Sequence, residues 1–469
     1  APGGTRGRHS GGMTAKMTAG TVAASGTHVF PRFLDLDYPN VERGEGVWLT
    51  TTDGRRFLDA SSGGAMVACL GYGMQAIVNA WAEQADRIAY FYNHHVTSEP
   101  QERLADRLLE VAAPGMARVR LVSGGSEANE TALQLARLYH VERGETDRWR
   151  VISPAQAYHG STMGTLALSG RRALQEPYTP YLAPHLHIPP STWRSDPSGE
   201  EALGALDRAL DEAGPETVAA FFVEPVSAAA LPAYSPSEGF WRGLDERRRE
   251  HGFLICFDEV VSGIGRVGTW LAADQLPIEP DIVSIGKGLG AGYAPLGAVL
   301  CRRHVYEALD RGSREFDLGH TWDGAPLSSA VGLAVLDQLV ERDLVARVHD
   351  RGPSLRDELE AALGSSGMVR EVRGRGFLLG VELLDPRDGE SFLPVDLDVA
   401  ALVDDTAFEQ GLLVTSTHPQ ADGFAGDQVL LAPAYVTSDD ELGQIVERFA
   451  ATVAAVERSI TDALASRGS

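Results

Sequence analysis

Lysine is almost absent from this chain. Of the 41 Lys and Arg residues among 469, only Lys16 and Lys287 are lysines. A genome biased toward arginine codons accounts for the scarcity, but it leaves Lys287 as the one amino group available for chemistry inside a fold. Lys287 follows the apolar run Ile282 to Ile285 and lies 29 residues after Asp258, which itself follows the run Leu254 to Phe257. That interval suits one strand, a crossover and the neighbouring strand, so both side chains are predicted at adjacent carboxyl ends of a parallel sheet, where ligands of open α/β sheets sit. A third run, Val119 to Val122, leads into Ser123-Gly-Gly-Ser-Glu-Ala128. Gly124 and Gly125 let a ligand approach the backbone, Ser126 can cap a helix or donate its hydroxyl, and the free N–H groups of a helix start can hold a phosphate. A lysine that forms a Schiff base, an acid that keeps a pyridine nitrogen protonated and a phosphate cradle are together what pyridoxal phosphate requires.

These side chains need a sheet to carry them. Between about Met74 and Ala334, helical patterns alternate with the apolar runs Val119 to Val122, Val151-Ile152, Val218 to Val223, Leu254 to Phe257, Ile282 to Ile285 and Leu296 to Leu300. Such alternation predicts a mostly parallel sheet covered by helices. After Ser126, Ala128, Ala132, Leu135 and Tyr139 share one helical stripe. A helix is expected from Leu336 through about Leu363, a strand from Phe377 to Leu384 and a last helix from about Glu441. The expected division is a flexible leader over 1–28, the N-terminal part of a small domain over 29–73, a large cofactor-binding domain over 74–335 and the rest of the small domain over 336–469. A chain this long exceeds one ordinary core, in keeping with two domains.

Composition removes several function classes. The net charge of −24 argues against binding nucleic acid or an anionic membrane and suits either a solvated acidic surface or a polycationic substrate. Cys69, Cys256 and Cys301 are too few and too widely spaced for a disulfide framework or a CxxC metal site, which implies a reducing cytoplasm. No apolar stretch is long enough to span a bilayer. Gly263-Ile-Gly-Arg-Val-Gly268 matches GxGxxG, but it does not sit directly between a strand and a helix, and no histidine pair has metal-ligand spacing.

The motifs Ser123-Gly-Gly-Ser-Glu-Ala128, Tyr158-His-Gly160, Glu224-Pro225, Asp258-Glu-Val260 with the following Gly263-Ile-Gly-Arg266 run, Asp281-Ile-Val-Ser-Ile-Gly-Lys287 and Gly319-His-Thr321, in this order, resemble those of class III aminotransferases, the ornithine, 4-aminobutyrate and ω-amine type. The resemblance implies fold type I, with a mostly parallel seven-stranded sheet in the large domain and a smaller α+β domain built from both termini. It implies that Lys287 binds pyridoxal phosphate and shuttles a proton, that Asp258 pairs with the ring nitrogen, and that Tyr158 and Val260 press on opposite ring faces. Gly125 and Ser126 would bind the phosphate, joined by Thr321 from the partner subunit of a homodimer with shared sites. Glu224 would orient the site, and His159 would belong to the framework. Met66 and Phe91 would line the substrate pockets. The positions where relatives carry carboxylate-binding arginines are Thr415 and Leu430 here, and Gln410 to Glu441 contains no Arg or Lys. Arg171, Arg172 or the Arg373/Arg375 pair could replace them, or serve as surface and interdomain ion pairs. The expected reaction joins a small-molecule amine, an ω-amine, polyamine or amino sugar rather than an α-amino acid, to a keto acid or carbonyl acceptor. Aminomutases, epimerases and decarboxylases share the fold and form the alternative.

Overall fold

The computed structural model describes residues 21–22, 26–34, 36–112, 114–192, 196–418, 423 and 425–467; most of the expected leader lies outside them. The centre is a seven-stranded sheet of β1 (Met116–Val122), β2 (Arg150–Pro154), β3 (Leu186–Ile188), β4 (Val218–Val223), β5 (Leu254–Asp258), β6 (Ile282–Ile285) and β7 (Gly297–Arg302), in the spatial order β1-β7-β6-β5-β4-β2-β3. Strands β3, β2, β4, β5 and β6 run parallel, while β7 is antiparallel to both β6 and β1. The reversed strand follows the short turn after Lys287, which leaves no room for the helical crossover a parallel neighbour needs.

Both sheet faces are covered, so the central strands are apolar throughout rather than alternating. Ala220 and Phe222 of β4 pack with Ala128, Ala132 and Leu135 of the helix Gly125–Glu142 on one face. Phe221 and Val223 turn to the other face with Ile255, Phe257 and Trp241.

The register aligns the chemistry-bearing ends. Asp258 is the last residue of β5 and pairs across to Ser284, so Lys287, two residues past the end of β6, emerges beside it. Val223 pairs with Phe257, which puts Glu224 on the other flank. Gly125 opens its helix just past the end of β1, and Tyr158 and His159 follow β2.

The two ends of the chain meet in a second body. Leu412–Leu413 pairs parallel with Arg56–Asp59, and Val369–Arg375, Leu378–Leu383, Asp427–Leu431 and Thr415–Thr417 form an antiparallel sheet. Two differences from the sequence reading stand out. The helix expected from Leu336 to Leu363 is two helices, Pro326–Glu341 and Leu344–Leu363, separated at Asp343, whose φ of 50° is left-handed. The first of them runs without a break across the expected boundary between 335 and 336, because its apolar pattern meets no breaker before Arg342.

A close backbone contact joins the small body to the site-bearing loop after β4. A Cβ on Gly380 would fall 2.2 Å from the carbonyl oxygen of Pro232, which also accepts from Arg373 Nε at 3.0 Å. Gly380→Ala should therefore push this loop away and lose about 1–3 kcal/mol of stability, read as a lower urea midpoint at unchanged m-value.

Candidate active site

Asp258 is almost fully buried, 5% exposed, and its carboxylate joins three segments. Oδ2 accepts from Asn129 Nδ2 at 2.7 Å and lies 2.8 Å from His159 Nδ1, while Oδ1 accepts from the Val260 N–H at 3.0 Å. Asn129 Nδ2 also donates to the His159 carbonyl at 2.7 Å. A buried carboxylate needs such donors, since an unpaired one is costly. His159 is part of this framework: with Asp258 as acceptor, Nδ1 carries the proton, and Nε2 has no hydrogen-bond partner among the described residues.

Lys287 lies next to this carboxylate in a left-handed backbone conformation, φ 43°. Burial pushes its amine below the ordinary lysine pKa, Asp258 and Glu224 push it back up, and Arg266 adds to the lowering. Burial raises the Glu224 carboxyl, His159 opposes that shift and Asp258 adds to it. Glu224 nevertheless has donors: Tyr158 N at 3.2 Å, Ala228 N at 3.1 Å and Ser227 Oγ at 3.3 Å. Through the first of these it holds the segment that carries the Tyr158 ring.

The helix that begins at Gly125 has no side-chain cap on its first N–H groups. A Cβ on Gly125 would fall 2.6 Å from Val260 Cγ1, and one on Gly286 would lie 3.4 Å from the same atom, so the bare backbone here is a packing requirement. Ser126 Oγ accepts from the Ser161 N–H at 3.2 Å and stays beside that helix start. Lysine, buried acid and uncapped helix start thus meet at one sheet end, and they match the aldehyde, ring nitrogen and phosphate of pyridoxal phosphate.

A family model described as aminotransferase class III matches residues 35–453. The chain belongs to the class III aminotransferases. The uncharacterized aminotransferase YodT of Bacillus subtilis is 34% identical over 434 residues, covering 91% of this chain and 97% of YodT. A diaminobutyrate–2-oxoglutarate transaminase of Halomonas elongata is 32% identical over 443 residues, 91% of each chain. Among solved structures, an (S)-enantioselective omega-transaminase from Thermomicrobium roseum superposes with a TM-score of 0.83 at 31% identity, covering 89% of this chain and 92% of that one. An amine transaminase of an uncultivated Pseudomonas species in its PLP-bound form gives 0.82 at 31% identity, over 89% and 95%. This aminotransferase accordingly has fold type I and depends on pyridoxal phosphate.

Other expected residues of the aminotransferase sit apart from the Asp258 cluster. Thr321 is on the surface, where its carbonyl accepts from Tyr90 Oη at 3.0 Å. Phe91 is half-buried in the neighbouring segment. Arg171 and Arg172 border the short helix Arg172–Gln175. Met66 and Leu430 are buried in one apolar cluster, and Thr415 Oγ1 donates to the Gly64 carbonyl at 3.0 Å. Arg373 is occupied by Glu371, Pro232 and Gln428, while Arg375 donates to the Gln275 side chain at 3.1 Å. The sequence reading does not find Asn129, and it includes Arg266 in a family motif without a role. Asn129 had one visible signal, an amide one helical turn beyond the phosphate cradle and next to the apolar stripe.

Because the neutral amine is the reactive form, its fraction and hence the rate of cofactor capture by the apoprotein should rise with pH. The midpoint should lie below the ordinary lysine value of 10.5. Stopped-flow absorbance measures this, with Lys287→Ala as the control that gives no borohydride-reducible adduct; a midpoint at or above 10.5 contradicts it. Asn129→Leu, which takes one donor from Asp258, should slow the donor half-reaction by about tenfold, as expected for a hydrogen bond to a charged group.

Proposed function

We propose that the enzyme moves amino groups from a primary amine, an ω-amine, polyamine or amino sugar in preference to an α-amino acid, to a keto acid or carbonyl acceptor in ping-pong half-reactions. The observation that carries this reading is that, among the described residues, Thr415 and Leu430 stand where a carboxylate-binding arginine is expected. Leu430 is 1% exposed inside an apolar cluster, Thr415 is turned to a backbone carbonyl, and Arg373 is committed to its own partners. The −24 charge favours encounter with a cationic donor.

Pyridoxal phosphate, when bound, supplies the carbonyl that takes the amino group and the electron sink for the substrate carbon. Gly125 and Ser126 would hold its phosphate, with Thr321 of a partner subunit, and Tyr158 and Val260 would confine its ring. Asp258 would keep a proton on the ring nitrogen, its own position being fixed by Asn129, His159 and the Val260 N–H. Lys287 would anchor the cofactor and, once displaced, would take the proton from the substrate carbon, for which burial favours the neutral amine. Glu224 orients Tyr158 through its backbone.

A homodimer is supported by the surface around Thr321, where Leu318 is 63% and Trp322 56% exposed beside Tyr90 and Tyr92. Apolar surface of this kind, rimmed by polar groups, suits burial against a second subunit. The cytoplasmic reading rests on Cys69, Cys256 and Cys301, all buried and free.

Single-turnover absorbance of the cofactor with amines alone tests the donor class. Uncharged or cationic amines should exceed α-amino acids in kcat/KM by roughly ten- to a hundredfold, the weight of a missing charge-assisted pair. The advantage of cations should shrink at high salt. A wide preference for α-amino acids at both salts overturns the proposal. Asp258→Asn should retain the fold and slow the same half-reaction by orders of magnitude, since an amide cannot hold the pyridinium charge.

A further inference from the structure

The segment between the helices Arg303–Arg311 and Pro326–Glu341 forms neither helix nor strand, and most of it up to Trp322 is exposed. Asp323 is only 4% exposed, although Thr321 and Trp322 beside it face solvent. An acid buried on a loop costs free energy unless donors surround it.

Its donors come from the loop itself and from the central sheet. Asp323 Oδ2 accepts from the His320 N–H at 3.1 Å and from Arg120 Nε at 3.1 Å, and Oδ1 accepts from His320 Nδ1 at 3.2 Å. In return the Asp323 N–H donates to the His320 carbonyl at 3.0 Å. The turn from His320 to Asp323 is thus closed by side chain and backbone alike, with Thr321 and Trp322 at its tip.

Arg120 fixes where that turn stands. It belongs to β1, the strand that leads into the helix start at Gly125. Its Nη1 donates to the Phe316 carbonyl at 2.9 Å, its guanidinium lies 4.4 Å from the Phe316 ring centroid, and a Cβ on Gly319 would clash with Nη2. The loop from Phe316 to Asp323 is therefore wrapped around one guanidinium. Two uncharged attachments add to this from outside: Tyr90 Oη donates to the Thr321 carbonyl at 3.0 Å and Asn93 Nδ2 to the Asp323 carbonyl at 3.1 Å.

We infer that Asp323 is a positioning residue for the cofactor phosphate: gripped by Arg120, it closes the turn that presents Thr321 to the partner subunit's site. The inference deepens the shared-site reading and rests on it. A hydroxyl on an untied loop has to be ordered before it can bind, and the ion pair removes that cost in advance. The same strand β1 then serves two phosphates, its own subunit's through the helix start and the partner's through Arg120.

The test reloads the full-length enzyme, freed of cofactor, with pyridoxal phosphate or with pyridoxal, which offers the same aldehyde without the phosphate. Apparent Kd is read from the absorbance of the lysine adduct. Asp323→Ala should weaken pyridoxal phosphate about tenfold, as expected for one hydrogen bond to a charged group, and pyridoxal by less than twofold. Asp323→Asn, which keeps an acceptor for Arg120 and loses the charge, should fall between Asp323→Ala and wild type. Thr321→Val should reproduce the loss, and the double variant should be no worse than either single one, because Asp323 acts through Thr321. Sedimentation velocity at the assay concentration checks that each variant keeps the wild-type assembly; if Asp323→Ala folds or assembles poorly, Asp323→Asn alone and combined with Thr321→Val decides. Equal losses for both ligands, an unchanged selectivity for the phosphate, or losses that add in the double variant overturn the inference. If Thr321→Val itself keeps the wild-type selectivity, the shared-site reading falls with it. If Thr321→Val loses selectivity and the Asp323 variants do not, only the positioning role falls.

Discussion

One buried carboxylate governs the arrangement of this aminotransferase. Asp258 places a carboxylate at the end of a fully apolar strand, and such a group is tolerated there only with several donors in good geometry. Its donors come from the helix that begins at Gly125, from the segment after β2 and from its own strand end. Satisfying the charge therefore sets the helix, the Tyr158 segment and the Val260 side chain relative to one another. Val260 in turn lies where a Cβ on Gly125 would be, so the helix start keeps bare N–H groups. Uncapped helix start and buried acid are thus parts of one packing solution.

Backbone strain gathers around the same place. Ser62, Met66, Ile264, Lys287 and Ala291 all have positive φ, and Gly288 lies against both Ile264 and Cys69. Arg266 is buried among carbonyl acceptors, with Nη1 on Phe377 and Pro433 and its guanidinium 4.6 Å from the Tyr435 ring centroid. It ties the Gly263–Gly268 turn to both parts of the small body. The tendency of active sites to hold conformations that isolated chains avoid is visible here in residues from three parts of the chain.

Much of this could be read from residue types. Lys287 is conspicuous because lysine is nearly absent elsewhere, and Asp258 and the glycine turn follow from the habit of parallel sheets to present ligands at their carboxyl ends. The Tyr158, Val260 and Thr321 assignments needed the family resemblance, since an aromatic, a valine and a threonine have no chemistry that spacing can expose. Asn129 was hidden for a physical reason, as was the Asp258 bond of His159, whose framework place the motif did suggest: the shared partner is far away in sequence, and nothing local distinguishes a donor to a buried carboxylate from an ordinary helix or loop residue. Arg266 is visible in the Gly263-Ile-Gly-Arg266 motif, but its partners Phe377, Pro433 and Ser62 are remote in sequence, so its role is not. The reversal of β7 was invisible because an apolar run carries no direction, and the break at Asp343 because a single left-handed residue leaves no composition signal.

The rarity of lysine also has a practical side. Amine-directed reagents, whether labels, cross-linkers or aldehyde supports, meet side-chain amino groups only at Lys16 and Lys287. Lys287 is partly buried beside Asp258, and the remaining positive charge is carried by guanidinium groups that such reagents leave alone. Within the fold, modification by these chemistries therefore reports on one position, and a bound cofactor should shield it.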